Sequence, residues 1–172
     1  NGQLEYVHAT SWGVSTRLIG SIIMVHGDDN GLVLPPFVAP IQIVIIPIQQ
    51  NKEEIIAKAK SLQARLEQAG FRVSLDDSDR TPGWKYAEHE MKGVPLRLEI
   101  GPRDLEKGQA VIARRVDGKK FFVKDQEIER EVNRLLVETH EEMYRKAQEF
   151  LNSHIIRVKS VEELKNVVDV GG

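Results

Sequence analysis

Arg97, Arg103 and Asp104 are charged residues set where a chain can do chemistry. They lie in the stretch Gly93-Val94-Pro95-Leu96-Arg97-Leu98-Glu99-Ile100-Gly101-Pro102-Arg103-Asp104. Leu96, Leu98 and Ile100 alternate with Arg97 and Glu99, the two-residue period of a strand with one buried face. Gly93 permits a tight entry, and Gly101-Pro102 stops the strand. Arg97 then points away from the leucines, on the wetter side. Arg103 and Asp104 follow at the strand's end, where binding residues gather in α/β sheets. An ordinary core strand with solvated charges would show the same pattern.

Charge distribution suggests a partner for these arginines. The whole chain of 172 residues has a formal net charge of −2, which argues against non-specific nucleic-acid binding. The charge is uneven, however: residues 1–79 sum to −3, residues 80–124 to +5 and residues 125–172 to −4. A local basic face can hold a phosphate chain even on a weakly acidic protein. With no cysteine, disulfides and thiolate metal sites are excluded within the chain. No metal site is expected. No apolar run is long enough to span a bilayer and the start lacks a signal-peptide pattern, so a cytoplasmic protein without a membrane partner is expected.

The elements that must position these residues follow from periodicity. Residues 3–9 alternate loosely and predict a strand. Leu18, Ile19, Ile22, Ile23 and His26 have helical spacing, with Ser15 as N-cap, and predict a short buried helix. Arg17 in its first turn opposes the helix dipole, so it needs either an anionic ligand or a neighbouring carboxylate. Asp28 and Asp29 stand in a Gly/Asn turn, as solvated turn formers do. Leu32–Leu34 predict a strand, and residues 37–40 a linker. Residues 41–48 are almost all apolar, as in a strand covered on both faces. Asn51 with Glu54 has the form of a capping box for a helix with the stripe Ile55, Ala59, Leu62, Leu66 and Ala69, ended by Gly70. Phe71–Leu75 predict a second strand. Thr81-Pro82 opens a helix carrying Trp84, Tyr86 and Met91. Asp117-Gly118 marks a two-residue hairpin between strands at 109–116 and 119–124. Asp125 is expected to cap a long helix through Phe150. A strand at 155–158 and a helix capped by Ser160 complete an α/β chain.

Three stretches resemble one family. Thr10-Ser11-Trp12-Gly13-Val14-Ser15-Thr16-Arg17-Leu18-Ile19-Gly20 resembles motif 3 of class II aminoacyl-tRNA synthetases in its prolyl form. Residues 24–36, Met-Val-His-Gly-Asp-Asp-Asn-Gly-Leu-Val-Leu-Pro-Pro, are similar to the segment that follows it. Pro82-Gly83-Trp84-Lys85-Tyr86-Ala87-Glu88-His89-Glu90-Met91-Lys92-Gly93-Val94-Pro95-Leu96-Arg97 resembles the anticodon-binding domain of prolyl-tRNA synthetases of the eukaryote- and archaeon-like type.

The resemblance implies a division into residues 1–36, the end of a catalytic domain, residues 37–152, an anticodon-binding domain with a mixed five-stranded sheet and three helices, and residues 153–172, the start of a C-terminal extension domain. The family's motifs 1 and 2 and its Cys-rich zinc part are absent from these residues, so the chain reads as a piece of a longer, homodimeric ligase that joins proline to tRNA(Pro) using ATP with Mg. The piece itself is expected to hold no cofactor and to be inactive alone. Arg17, Ser15 and Thr16 fall on ATP-binding positions, and Trp12 and Gly13 on the proline pocket. The family has Gln where this chain has Ala9, so that nucleotide contact is lost or comes from another group.

Tyr86, Glu90 and Arg97 fall on the family's base-reading positions, and Arg103 joins them by its chemistry. The proline anticodon ends in two guanines. Guanine offers N1–H and N2–H to a carboxylate such as Glu90. Its O6 and N7 accept from a guanidinium such as Arg97 or Arg103. Tyr86 offers a stacking face. Lys85, Lys92, Lys107, Arg114 and Arg115 are candidate phosphate contacts, or plain solvated charges. The alternative function is a non-catalytic RNA- or protein-binding module that reuses the anticodon-binding fold.

Overall fold

A computed structural model describes residues 6–49 and 51–170. Its centre is β1 (Ile43–Pro47), buried at all five positions. A strand buried throughout needs cover on both faces. Helix α2 (Glu53–Gln68) supplies part of it, turning the Ile55, Ala59, Leu62 and Leu66 stripe inward. The chain returns as β2 (Val73–Leu75), parallel to β1 with Ile43 opposite Val73. Helix α3 (Pro82–Met91) then leads to β3 (Leu96–Ile100), which pairs parallel with the other edge of β1. Gly101 precedes a short helix α4 (Pro102–Glu106). Strands β4 (Gln109–Arg114) and β5 (Lys120–Lys124) complete the sheet antiparallel, in the order β2-β1-β3-β4-β5. The long helix is α5 (Ile128–Ser153), and the last is α6 (Val161–Asp169). The sheet is thus mixed and five-stranded, and α4 adds to the three helices α2, α3 and α5 expected around it.

Alternation sorts the strands into two faces. Ile43, Ile45, Leu96, Leu98, Ile100, Ala110, Ile112 and Val123 form one core with α2 and α5. Val44, Ile46 and Val94 form a smaller one on the other face, against Ile41 and Tyr86. Buried Leu62 and Leu66 each remove a full side chain from water, about 1.5–3 kcal/mol apiece by transfer.

Several local expectations yield to tertiary partners. The segment at 37–40 is no free linker, since Ala39 is fully buried. Arg72 donates to the carbonyls of Pro36, Phe37 and Ala39, and buried Gln42 donates to Pro36 as well. Asn51 makes no cap; Lys52 is the N-cap, without a side-chain bond. The Asp117-Gly118 turn is not a two-residue hairpin but part of a loop spanning residues 115–119. Arg114 pairs with Asp117, and Gly118, at φ +67°, donates its N–H to the Arg114 carbonyl. Asp125 opens a 3₁₀ turn, not α5, and its carboxylate is drawn to Lys58 and Arg65 of α2 at 2.6 and 3.2 Å. Residues 155–158 and 32–34 are irregular and pair with no strand of the sheet. Of the expected strand at 3–9, residues 6–9 are irregular and the rest lie outside the described residues. Ser160 does cap α6, accepting from the Glu163 N–H at 3.1 Å.

The greatest departure is α1 (Arg17–His26). Its apolar face was expected to be buried, yet none of its residues is, and Leu18, Ile19 and Met24 are exposed. Thr16, not Ser15, is its N-cap, without a side-chain bond; Ser15 Oγ accepts from the Arg17 N–H at 3.4 Å. The chain after α1 is well anchored, however. Gly31, at φ +126°, packs so closely on Met91 that a Cβ there would lie 2.6 Å from its backbone. Gly93, at φ +72°, meets Leu32 in the same way, and Leu32 donates its N–H to the Met91 carbonyl at 2.9 Å.

This asymmetry has a measurable consequence. Leu62→Ala is expected to destabilise the chain by about 2–5 kcal/mol, and Leu18→Ala by no more than about 0.5 kcal/mol. Urea unfolding of both variants checks it; comparable losses would mean that α1 is packed in solution.

Candidate nucleic-acid interface

On the smaller-core face of the sheet, β3 presents Arg97 and Glu99 in place of apolar residues. Glu99 is almost wholly buried, its side chain only 6% exposed. It accepts from Arg97 Nε at 3.0 Å and pairs with Lys120 Nζ at 3.2 Å. Arg97 in turn lies over the ring of Tyr86, 4.0 Å from its centre, while Lys120 approaches the same ring at 5.9 Å. A desolvated cation over an aromatic ring gains about 2 kcal/mol. Burial, and next the Glu99 carboxylate, push the Tyr86 hydroxyl up to about 12. Tyr86, Arg97, Glu99 and Lys120 therefore form one unit, in which a buried carboxylate fixes two cations against a ring.

Glu90 stands one turn beyond Tyr86 on α3, half-buried. Glu90 and Arg97 line a shared cavity of about 50 Å³, with Val44, His89 and Arg115. That volume suits water, not a base. Arg103 is exposed on α4 and makes no ion pair among the described residues. Asp104 instead closes the start of α4, accepting the Gly101 N–H at 3.1 Å.

Three expected phosphate contacts prove to be structural. Lys85 is 1% exposed and donates to the Asp76 carbonyl at 2.9 Å. His89 meets the Asp76 carboxylate at 2.8 Å, so β2's end is tied to α3 twice. Burial alone would raise the Asp76 carboxyl, but the bonds from Ser78 and His89 outweigh it and leave it lowered. These ties, and not Trp84 or Met91, which are both half-exposed, hold the helix. Arg115 is buried between the Glu90 carbonyl, at 2.9 Å, and Asp28, which it grips with both terminal nitrogens at 2.8 and 2.6 Å. Asp28 is the exposed turn former expected, accepting the Asn30 N–H at 3.0 Å, and serves as the anchor of Arg115 as well; the Arg115 bond is the main cause of its lowered pKa. Arg114 pairs with Asp117 and Glu142. Buried cations must be paired, which is why these arginines cannot be free for a ligand. Lys92 is bonded to Glu88 at the surface, and Lys107 is exposed.

Trp12, Gly13, Ser15, Thr16 and Arg17 are all exposed. Among the described residues, no hydrogen bond or ion pair joins them to the sheet. The structure thus gathers Tyr86, Glu90 and Arg97 and leaves the 12–17 group apart. It adds Glu99 and Lys120, which the sequence signalled only by their parity with Arg97 across β3 and β5. The described residues hold no cluster of three or more metal-ligating side chains, and no helix among them is long and apolar enough to cross a membrane.

This sheet with its cationic face is that of a known class. Residues 42–135, more than half of the chain, match the model of the anticodon binding domain, and the chain belongs to that family. Among curated proteins it is similar to proline–tRNA ligase 2 of Bacillus thuringiensis (strain Al Hakam), 51% identical over 169 residues, which is 98% of this chain and 35% of that protein. The proline–tRNA ligases of Ruminiclostridium cellulolyticum and Clostridium novyi (strain NT) are 52% and 51% identical over the same share of both chains. The chain spans about one third of the length of the curated relatives it matches.

The raised hydroxyl makes the unit titratable. Because the folded-state value exceeds the ordinary 10.0, Tyr86 stabilises the fold fully below about pH 10, and this contribution disappears as pH rises through about 12. Urea midpoints at pH 9 and pH 11 should therefore fall more steeply for the unaltered chain than for Tyr86→Phe. Equal falls would place the phenol in water.

Proposed function

We propose that this chain is the anticodon-recognising part of a proline–tRNA ligase, which activates proline with ATP and transfers it to tRNA(Pro). The observation that carries the reading is the Arg97 unit. Glu99 occupies Nε, so both terminal nitrogens of Arg97 remain to donate to the O6 and N7 of an anticodon guanine. Tyr86 packs against the core and under Arg97, so its ring serves to hold the guanidinium, and the guanidinium plane is the surface offered to a base. Glu90, half-buried on α3 one turn beyond Tyr86, supplies the carboxylate for the N1–H and N2–H of a guanine lying outside the small cavity. Exposed Arg103 is a candidate for the adjacent base or its phosphate.

The same reading covers the whole protein. Residues 1–36 are the end of its class II catalytic domain, residues 37–152 its anticodon-binding domain, and residues 153–172 the start of a C-terminal extension of the eukaryote- and archaeon-like type. The exposed apolar face of α1 supports a catalytic-domain neighbour. In that setting Arg17, Ser15 and Thr16 bind ATP, Trp12 and Gly13 line the proline pocket, and Mg accompanies the ATP phosphates. The ligase is a cytoplasmic homodimer.

Binding to a hairpin RNA with a proline anticodon tests the reading. Arg97→Ala and Glu90→Gln should each abolish most of the preference for guanine over adenine at one anticodon position, about 5- to 150-fold, with little change in salt dependence. Equal weakening toward both RNAs with a shallower salt slope would make them backbone contacts and overturn the assignment. The chain alone should support no proline-dependent ATP–pyrophosphate exchange above a protein-free blank.

A further inference from the structure

Strand β5 carries two phenylalanines in succession, and the sheet separates them. Phe121 turns to the main core, among the residues packed by α2 and α5. Phe122 turns to the opposite face and is 70% exposed. Register fixes its surroundings. Phe122 lies opposite Val111, which lies opposite Glu99; Lys120 lies opposite Ala113, which lies opposite Arg97. Lys124 is next on the same face of β5, opposite Gln109. The uncovered half of this face therefore presents one bare aromatic ring among Arg97, Lys120 and Lys124; Glu99 is already taken by two cations, and Asp104 of α4 reaches the row only at its end, accepting from Gln109 Nε2 at 3.4 Å.

From this we infer that Phe122 is a stacking platform for a second unpaired base of the bound RNA, beside the base read by Arg97. The inference rests on the anticodon reading above and extends it to a residue outside the expected site. An exposed aromatic ring costs hydration and does nothing for this core, which Phe121 already serves. Cations on both sides along the strand, Lys120 and Lys124, suit the phosphates that flank a stacked base. Single-stranded RNA has both the negative backbone and the flat apolar faces that this row complements. Tyr86, the aromatic expected to stack, is occupied by Arg97 and the core, so among the described residues Phe122 is the bare ring of this face.

The test is binding of the chain to a hairpin RNA carrying the proline anticodon, with 2-aminopurine placed in turn at each loop position. Phe122→Ala and Phe122→Leu should both weaken binding about 5- to 150-fold, because leucine keeps apolar area but lacks a π face. Phe122→Trp should bind at least as tightly as the unaltered chain. Fluorescence quenching at one loop position should be lost in the alanine variant, with the salt slope unchanged. Should all three variants bind as the unaltered chain does while Arg97→Ala loses guanine preference, the platform is wrong and the base-reading assignment stands. Should Phe122→Ala lose binding and quenching while Arg97→Ala keeps its guanine preference, the platform stands and the base-reading assignment fails. An unaltered chain that binds no hairpin overturns both. A change in sedimentation with unchanged RNA binding would assign Phe122 to a protein contact and overturn the inference.

Discussion

The burial of β1 on both faces is the constraint from which the site follows. Five consecutive residues, Ile43 to Pro47, lie out of water, so helices must cover each side. On one side α2 and α5 cover the whole sheet. On the other, α3 packs near Val44 and Ile46, and the β3–β5 half of the face stays open to polar residues. Arg97, Glu99, Lys120 and Phe122 stand on that open half. The sheet's need for cover over β1 and its lack of cover beyond β3 together make the surface on which RNA recognition is proposed.

Within that surface, Glu99 organises the charges. A carboxylate removed from water demands partners, and it has two cations, Arg97 and Lys120. The demand is reciprocal: an arginine held through Nε by a buried anion and against a tyrosine ring has few orientations left. Such pre-organisation lowers the entropy lost when a side chain binds a ligand. Glu90, by contrast, is positioned through its backbone carbonyl, which Arg115 holds while gripping Asp28. The turn after α1 and the end of α3 are thus pinned by one guanidinium. Gly31 and Gly93 let their backbones touch at the same junction.

The segment before that junction obeys different physics. The sequence of α1 is that of a buried helix, and its exposed Leu18, Ile19 and Met24 make an apolar face without cover. The junction at residues 28–33 is firmly held, so the exposure does not come from a poor join.

The sequence by itself determined the elements whose signal is local and repeated. The apolar run of β1, the four-residue stripe of α2, Pro82 at the start of α3 and the alternation of β3 each state a period that only one element satisfies. That Arg97 leaves the main core follows from the same alternation. What only the tertiary structure decided was the pairing of charges. Lys85, Arg114 and Arg115 read in sequence as surface cations like Lys92, because a charge's partner is set by chain segments up to 87 residues away, as Asp28 is for Arg115. The cap expected of Asp125 failed for the same reason, its carboxylate having stronger cationic partners on α2 than the backbone N–H groups nearby. Phe121 and Phe122 are indistinguishable as residue types; only the register that places one against α5 and the other beside Lys120 tells the core ring from the bare one.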